Sequence, residues 1–408
     1  MSPRPTHRTA ANTKPSQKPN KTPSTASGKT RSTVQAEPTI DDIARLYPAS
    51  HPALSGLRLR PGTPVLQCGP TGVQFGADAR WALRCTGLSS SDIAWCQEIG
   101  ARANASLTSV ARRQGLTGQR FAELVHMLHN AGLLTDPRHA GPLALGSLRA
   151  DAAGHVTALR RAQACVGISS LGSADCLGRL GAMLALTLAT AGVGQLVFAD
   201  STPVQATDVG YGIYGVDDVG KQRDSVLRQA IARCAPQTHV SAEARVDLLV
   251  TVEHHGMLMP QYSSLMGRAI PHLPVIMQQA SMTVGPLVLP GTTACTTCHM
   301  LHKADADAAW PGIHQQLLAL PALPQDAALA ASTACVVAAN VLCHIDQLMP
   351  TAVNHTIDLA LPTLLPHITA LPAHPGCGCT GLPTPRHSPR PRNEPETLTL
   401  TAVTAKPQ

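Results

Sequence analysis

Cys176 to Asp200 reads CLGRLGAMLALTLATAGVGQLVFAD. Gly178 and Gly181 open an apolar helical run, Ala191-Gly-Val-Gly194 stops it, and a short apolar strand ends on Asp200, nineteen residues past Gly181. A glycine turn lets backbone approach phosphate, a helix N-terminus offers free N–H groups, and a carboxylate after the next strand takes ribose hydroxyls. This is the logic of a nucleotide-binding βαβ unit, with Gly178, Arg179, Gly181 and Asp200 as its candidate residues. The motif is incomplete, because Cys176 stands where a full GxGxxG needs its first glycine. An earlier frame from Gly167 to Gly172-Ser173 competes, and tight helix–strand packing without a nucleotide accounts for the same glycines. Leu180 to Ala199 carries no charge and reaches membrane-spanning length. The glycine interruption favours a helix, a stop and a buried strand over a span.

Outward from this stretch, strands and helices alternate from about residue 155, which predicts a Rossmann-like, mostly parallel sheet flanked by helices. Strands are expected at 164–170, 195–199, 246–252, 274–277 and 285–289. The run VDLLVTV (Val246–Val252) is continuously apolar, as a strand buried on both faces should be. Helices are expected at 180–191, 220–234 and 328–349, and residues 356–371 read as terminal antiparallel strands.

Residues 45–150 read as a separate α+β module, winged-helix-like, with strands at 64–68 and 73–75. Its clearest helix spans 118–130, with Phe121, Leu124, Val125 and Leu128 on one face and Gly132 as its stop. A peptide-binding or dimerising role and a purely structural one fit equally. Residues 1–40 and 383–408 are Pro-, Ser- and Thr-rich and read as disordered basic tails. The net charge of +7 belongs to them. Residues 1–37 hold seven Lys or Arg against Glu37, and residues 383–408 hold four against two Glu, leaving about −1 for the body. Such a body excludes a basic nucleic-acid face, and 2% aromatic residues leave few base-stacking platforms. No partner nucleic acid or membrane is expected. The start lacks an apolar signal region, so the cytoplasm is the expected location.

Twelve cysteines without a signal sequence point to metal or catalytic spacing, not to a disulfide scaffold. Cys295-x-x-Cys298 and Cys377-x-Cys379 supply four thiols in two close pairs. A shell filled by four thiolates suits structural zinc, since it leaves no position open for water. A redox CxxC is the competitor, but no thioredoxin-like strand precedes it. His299 and His302 could substitute for a thiol as ligands, but the simpler reading makes them loop residues beside the first pair.

Together, Gly178-Arg-Leu-Gly181, AGVG and Leu196-Val-Phe-Ala-Asp200 resemble the ThiF/MoeB/HesA family of ubiquitin-activating-enzyme-like adenylyltransferases. Asp218-Val-Gly-Lys-Gln-Arg223 looks like that family's DVGxPK element. VGPLVLPGTTACTTC (Val284–Cys298) and His374-Pro-Gly-Cys-Gly-Cys379 look like its zinc-pair segments. The likeness covers about residues 160–380, within a domain read as 155–382, and implies a ThiF-like fold, ATP, zinc and a peptide or small-protein acceptor. It also implies a homodimer. Arg223 falls at the family's phosphate lysine, Thr202 at its second acidic residue, and Asp208 and Tyr211 at its Asn and Arg. The magnesium aspartate falls near His254, with Glu253 one residue away, so a role for Mg2+ is left open. These changes point to degenerate catalysis, and no catalytic residue is nominated. The upstream module is similar in position to leader-peptide-binding domains fused to ThiF-like proteins of azole-peptide biosynthesis. The expectation is a protein that binds ATP and activates or presents a peptide C-terminus. The alternative is a non-catalytic leader-binding scaffold partnering a cyclodehydratase.

Overall fold

A computed structural model of the chain describes residues 56–77, 82–102, 105–135, 154–172, 175–210, 212–381 and 398–399. The tail at 1–40, Tyr211 and most of 383–408 lie outside the described residues.

The first elements are β1 (Arg58–Leu59), β2 (Val65–Gln67), β3 (Val73–Phe75), β4 (Leu83–Cys85), α1 (Ser90–Ala101), α2 (Leu107–Arg113), α3 (Gly118–Asn130) and β5 (Leu134–Thr135). β2, β3 and β4 form an antiparallel sheet, and β1 pairs with β5. Each helix starts at a side-chain cap: Ser89, Ser106 and Thr117 accept backbone N–H groups from the first turn. Asp92 completes a capping box by accepting the Ser89 N–H, and Arg120 donates to the same carboxylate. Phe121, Leu124, Val125 and Leu128 close a core with Phe75, Trp95 and Leu107, and the Trp95 indole N–H donates to the Leu107 carbonyl. β4 was not legible, because Leu-Arg-Cys is too short and mixed to show a period.

The remaining elements in chain order are α4 (Gly154–Gln163), β6 (Cys165–Ser169), α5 (Arg179–Thr190), β7 (Gln195–Val197), α6 (Arg223–Cys234), β8 (His239–Ser241), β9 (Glu243–Ala244) and β10 (Leu248–His254). There follow α7 (Met259–Gly267), β11 (His272–Met277), β12 (Ser281–Val284), α8 (Thr296–Ala306), α9 (Trp310–Leu317), α10 (Ala327–Ile345), β13 (His355–Ala360), β14 (His367–Ala370) and β15 (Leu398–Thr399). One eight-stranded sheet has the order β14-β13-β12-β11-β10-β6-β7-β8. β8, β7, β6, β10 and β11 run parallel, and β12 to β14 are antiparallel. From β6 the chain goes first to β7 on one side and later to β10 on the other. The crevice beyond the carboxyl ends of β6 and β10 is therefore the topological switch point, where such sheets bind ligands.

α5 and α10 cover one face, burying Leu184 and Leu188 with Ala334, Val337 and Val341. α10 is long and apolar enough to cross a membrane, but Leu329, Ala330, Ala334, Val337, Ala338 and Val341 bury its apolar side in this core. A buried pair, Arg161 with Asp346 at 2.5 and 2.9 Å, ties α4 to the end of α10.

Three expectations need correction. The strand expected at 285–289 is β12 instead; Gly285 takes φ 97° and Pro286 lacks an N–H, so the ladder ends before them. The helix expected from Gly220 starts at Arg223, since Gly220 takes φ 89° in a turn. Leu398–Thr399, assigned to a disordered tail, pairs with β9.

Candidate functional site

At the switch point the strand ends of β6, β7 and β10 face the loop that leads into α5. Gly181 allows that loop to close: a Cβ there would sit 1.9 Å from the Cys176 carbonyl oxygen. Asp200, fully buried, holds the loop from below. Its Oδ2 accepts the N–H groups of Cys176 (3.1 Å) and Leu177 (2.8 Å). Its Oδ1 accepts from the Thr202 N–H and hydroxyl. Glu253, at the end of β10, holds the earlier part of the same loop, accepting from the Leu171 and Gly172 N–H groups and the Ser170 hydroxyl. Gln325 covers the start of α5: its Oε1 accepts the Leu180 N–H at 2.7 Å. A Cβ on Gly178 would meet the Gln325 side chain at 2.7 Å. Amides of the kind that would cradle phosphate are thus bonded to the chain's own oxygens.

Arg223 lies in the same crevice, 4% exposed. Its Nε and Nη2 donate to Asp208 at 2.8 and 2.7 Å, and its Nη1 donates to Asp175 and to Thr202. Asp200 is 3.9 Å away. Burial alone would lower the guanidinium, but Asp175, Asp208 and Asp200 outweigh it and raise it. Burial raises both Asp175 and Asp200 against the pull of Arg223. One cation among three carboxylates leaves an acidic pocket, which opposes a polyphosphate. Arg179, the other candidate cation, donates to the Val209 carbonyl instead.

His254 stands where the resemblance places a magnesium ligand. Its Nδ1 accepts the Leu323 N–H, which leaves the proton on Nε2, 3.8 Å from Asp175. With Glu253 turned into the loop, neither residue fits a magnesium ion here, and no step runs through one. His254 and His272 are held neutral, lowered to about 4 chiefly by burial, with the neighbouring charges of His255 and Arg223 adding to the effect at His254. Unfolded, each takes its proton near 6.5, so the stability it contributes is complete above that pH and lost as pH falls toward 4. Glu253 works oppositely: burial raises it to about 7, so the folded state takes up its proton first as pH falls. These two histidines and His299, likewise lowered to about 4 chiefly by burial, against one glutamate should leave the chain about 3 kcal/mol less stable at pH 5 than at pH 7. Urea midpoints at the two pH values test this; a higher midpoint at pH 5 would contradict it.

The four cysteines meet. Cys295 and Cys298 stand at the start of α8, and Cys377 and Cys379 in the loop that closes over it. Sγ–Sγ distances are 3.9 Å for 295–298, 3.6 Å for 295–377 and 3.5 Å for 298–379, and all four sulfurs lie within 4.8 Å. A tetrahedron with metal–sulfur bonds of about 2.3 Å has edges of about 3.8 Å. Disulfide bonds would need about 2.05 Å. Four thiols this close cannot all ionise without a cation. Burial and the neighbouring sulfurs push Cys377 up to about 11 and Cys379 higher. At Cys298 burial is outweighed by backbone and thiol hydrogen bonds, and the thiol is lowered. The donor set fits a metal ion, which would be structural. His299 and His302 lie on α8 and not in a loop; His302 bonds the Pro372 carbonyl, and neither joins the sulfur cluster.

The structure therefore brings Gly178, Gly181, Asp200 and Arg223 to one crevice and the thiols to another place. Sequence reasoning missed Asp175 and Gln325, since nothing local marks a residue whose partner lies 48 or 145 positions away. Glu253 carried a signal: an acid ending an apolar strand.

No family model matches the chain, and no curated protein matches it. Solved structures do. The Microcin C7 biosynthetic enzyme MccB in complex with N-formylated MccA aligns with TM-score 0.58 and 17% identity, over 80% of this chain and 99% of that one. E. coli MccB with ATP aligns with TM-score 0.57 and 16% identity, again over 80% and 99%. The chain has the ThiF-like fold that its motifs pointed to.

Proposed function

We propose that this protein captures a peptide or small protein and presents its C-terminal part to a separate modifying enzyme. In this reading its adenylyltransferase-type sheet acts as a scaffold, with nucleotide turnover lost. The observation that carries the reading is the filled crevice: Glu253, Asp200 and Gln325 take the turn amides, and Arg223 is spent on Asp175 and Asp208. The N-terminal module, read from the sequence as winged-helix-like, would take the leader part of a precursor peptide. An azole-forming cyclodehydratase is the partner this implies, and a homodimer in the cytoplasm is its working form. Zinc on Cys295, Cys298, Cys377 and Cys379 would pin the antiparallel end of the sheet. Fluorescence anisotropy with a labelled precursor peptide encoded beside its gene tests the proposal. The expected affinity is unchanged by ATP and by Asp200→Asn, and no ATP–pyrophosphate exchange accompanies binding. Peptide-dependent exchange would overturn it.

A second reading is ATP-dependent adenylation of the peptide carboxylate. It is supported by MccB structures that hold ATP or N-formylated MccA on this fold. The retained placing of Gly178, Gly181 and Asp200 also favours it. The exchange assay separates the two.

A further inference from the structure

A second, shallow cleft opens to solvent at the carboxyl ends of β10 and β11, walled by α8 and α9. Three of its polar side chains, on α8 and α9, can present donors to it. The Lys303 ammonium lies 4.8 Å from the centre of the Trp310 ring, half-buried, and makes no ion pair among the described residues. The Trp310 indole N–H is buried without a hydrogen-bond partner among the described residues, and an indole nitrogen can only donate. His314 Nε2 accepts the Met257 N–H at 3.3 Å, which places its ring proton on Nδ1 as a donor. His299, 6% exposed, lines the same cleft with an Nδ1 that has no partner among the described residues. A Cβ at Gly256 would come within 2.8 Å of His314 Nε2, so this glycine is what lets the ring seat there. No Asp or Glu is among the lining residues, in contrast to the acidic crevice around Arg223. Met257, Ile276 and Met300 make the remaining wall apolar.

Buried donors left without partners are costly, and a ligand that accepts from them recovers that cost. An ammonium facing no acid calls for an anion, and the apolar wall beside it calls for a small apolar group next to the charge. We infer that the cleft binds a carboxylate carried on a small apolar group, and that it seats the C-terminal residue of the peptide the chain handles. The carboxylate meets Lys303 and the Trp310 N–H, and the side chain lies against Met257, Ile276 and Met300. The second half of this inference rests on the peptide reading above; the first half does not.

The test uses the full chain and N-acetyl-leucine, with N-acetyl-leucinamide as its uncharged twin, in isothermal titration calorimetry. The acid should bind about tenfold more tightly than the amide, the difference a charge-assisted hydrogen bond makes. Lys303→Gln should weaken the acid about tenfold and leave the amide nearly unchanged, while Trp310→Phe should weaken both, since an amide carbonyl also accepts from the indole N–H. Thermal midpoints check that both variants fold; Lys303 is half-buried at the cleft mouth, so its variant serves if Trp310→Phe does not. Equal binding of acid and amide, indifference to Lys303→Gln, or no binding of the acid would overturn the carboxylate site. The precursor peptide with a free C-terminus and with a C-terminal amide then separates the sources. Preference for the free terminus, lost in Lys303→Gln, supports the peptide assignment. Peptide binding that ignores amidation, beside intact N-acetyl-leucine binding, restricts the site to free acids and overturns the peptide half. A chain that binds no peptide but still takes N-acetyl-leucine refutes the function proposed above and leaves the carboxylate site standing.

Discussion

Arg223→Met should cost about 3–5 kcal/mol of folding stability at pH 7, because it strands buried acids without their cation. Asp208 is 7% exposed and Asp200 fully buried, and Asp175 shares the same guanidinium. That is a large part of the roughly 5–15 kcal/mol available to an ordinary domain. The loss should shrink below about pH 5, where the stranded acids protonate and no longer need a partner. Arg223→Lys should recover only part of it, since a point charge cannot reproduce the fork that grips Asp208 through Nε and Nη2. Adding Asp208→Asn to Arg223→Met should restore stability, because it removes one of the unpaired charges. Urea unfolding at pH 7 and pH 5 measures all four proteins. A loss below about 1 kcal/mol for Arg223→Met would show that the cage does not hold ionised carboxylates, and would reopen the crevice to phosphate.

The second large effect belongs to the sulfur cluster. The purified chain should carry about one equivalent of metal, and Cys379→Ser or a strong chelator should remove it. Structural zinc shells contribute on the order of 10 kcal/mol to the folding of small domains. Here the cluster joins the start of α8 to the loop at 371–381, so the loss should be local first. Hydrogen exchange should accelerate in residues 287–300 and 371–381, while β6, β7 and β10 stay protected. Cys234→Ser, exposed and remote from the cluster, is the control. Metal-free protein whose unfolding curve is unmoved by the chelator would contradict the assignment.

The main sheet was legible because its strands are continuous apolar runs and its turns carry glycine. VDLLVTV announces a two-face-buried strand whatever surrounds it, and β10 occupies Leu248–His254. The thiol cluster was equally open to reading, since two short-spaced pairs need only be brought together. The crevice was not. Asp200 ends its strand where a ribose ligand should, yet its oxygens face the loop amides, and only coordinates give that orientation. Arg223 kept the charge of a phosphate-binding residue while three acids from separate segments neutralised it. Residues 285–289 misled because apolar composition hid a glycine with positive φ that turns the chain.

Cys298 stands on the first turn of α8, and Lys303 stands five residues further along the same rigid rod. An ion gripped by the sulfurs therefore fixes the azimuth of the lysine as well as the chain around it. Oxidising the first thiol pair would contract its 3.9 Å edge to about 2.05 Å and wrench the base of the rod. Corrosion of that knot would reach the ammonium mechanically, with no contact between the sulfurs and whatever the ammonium grips.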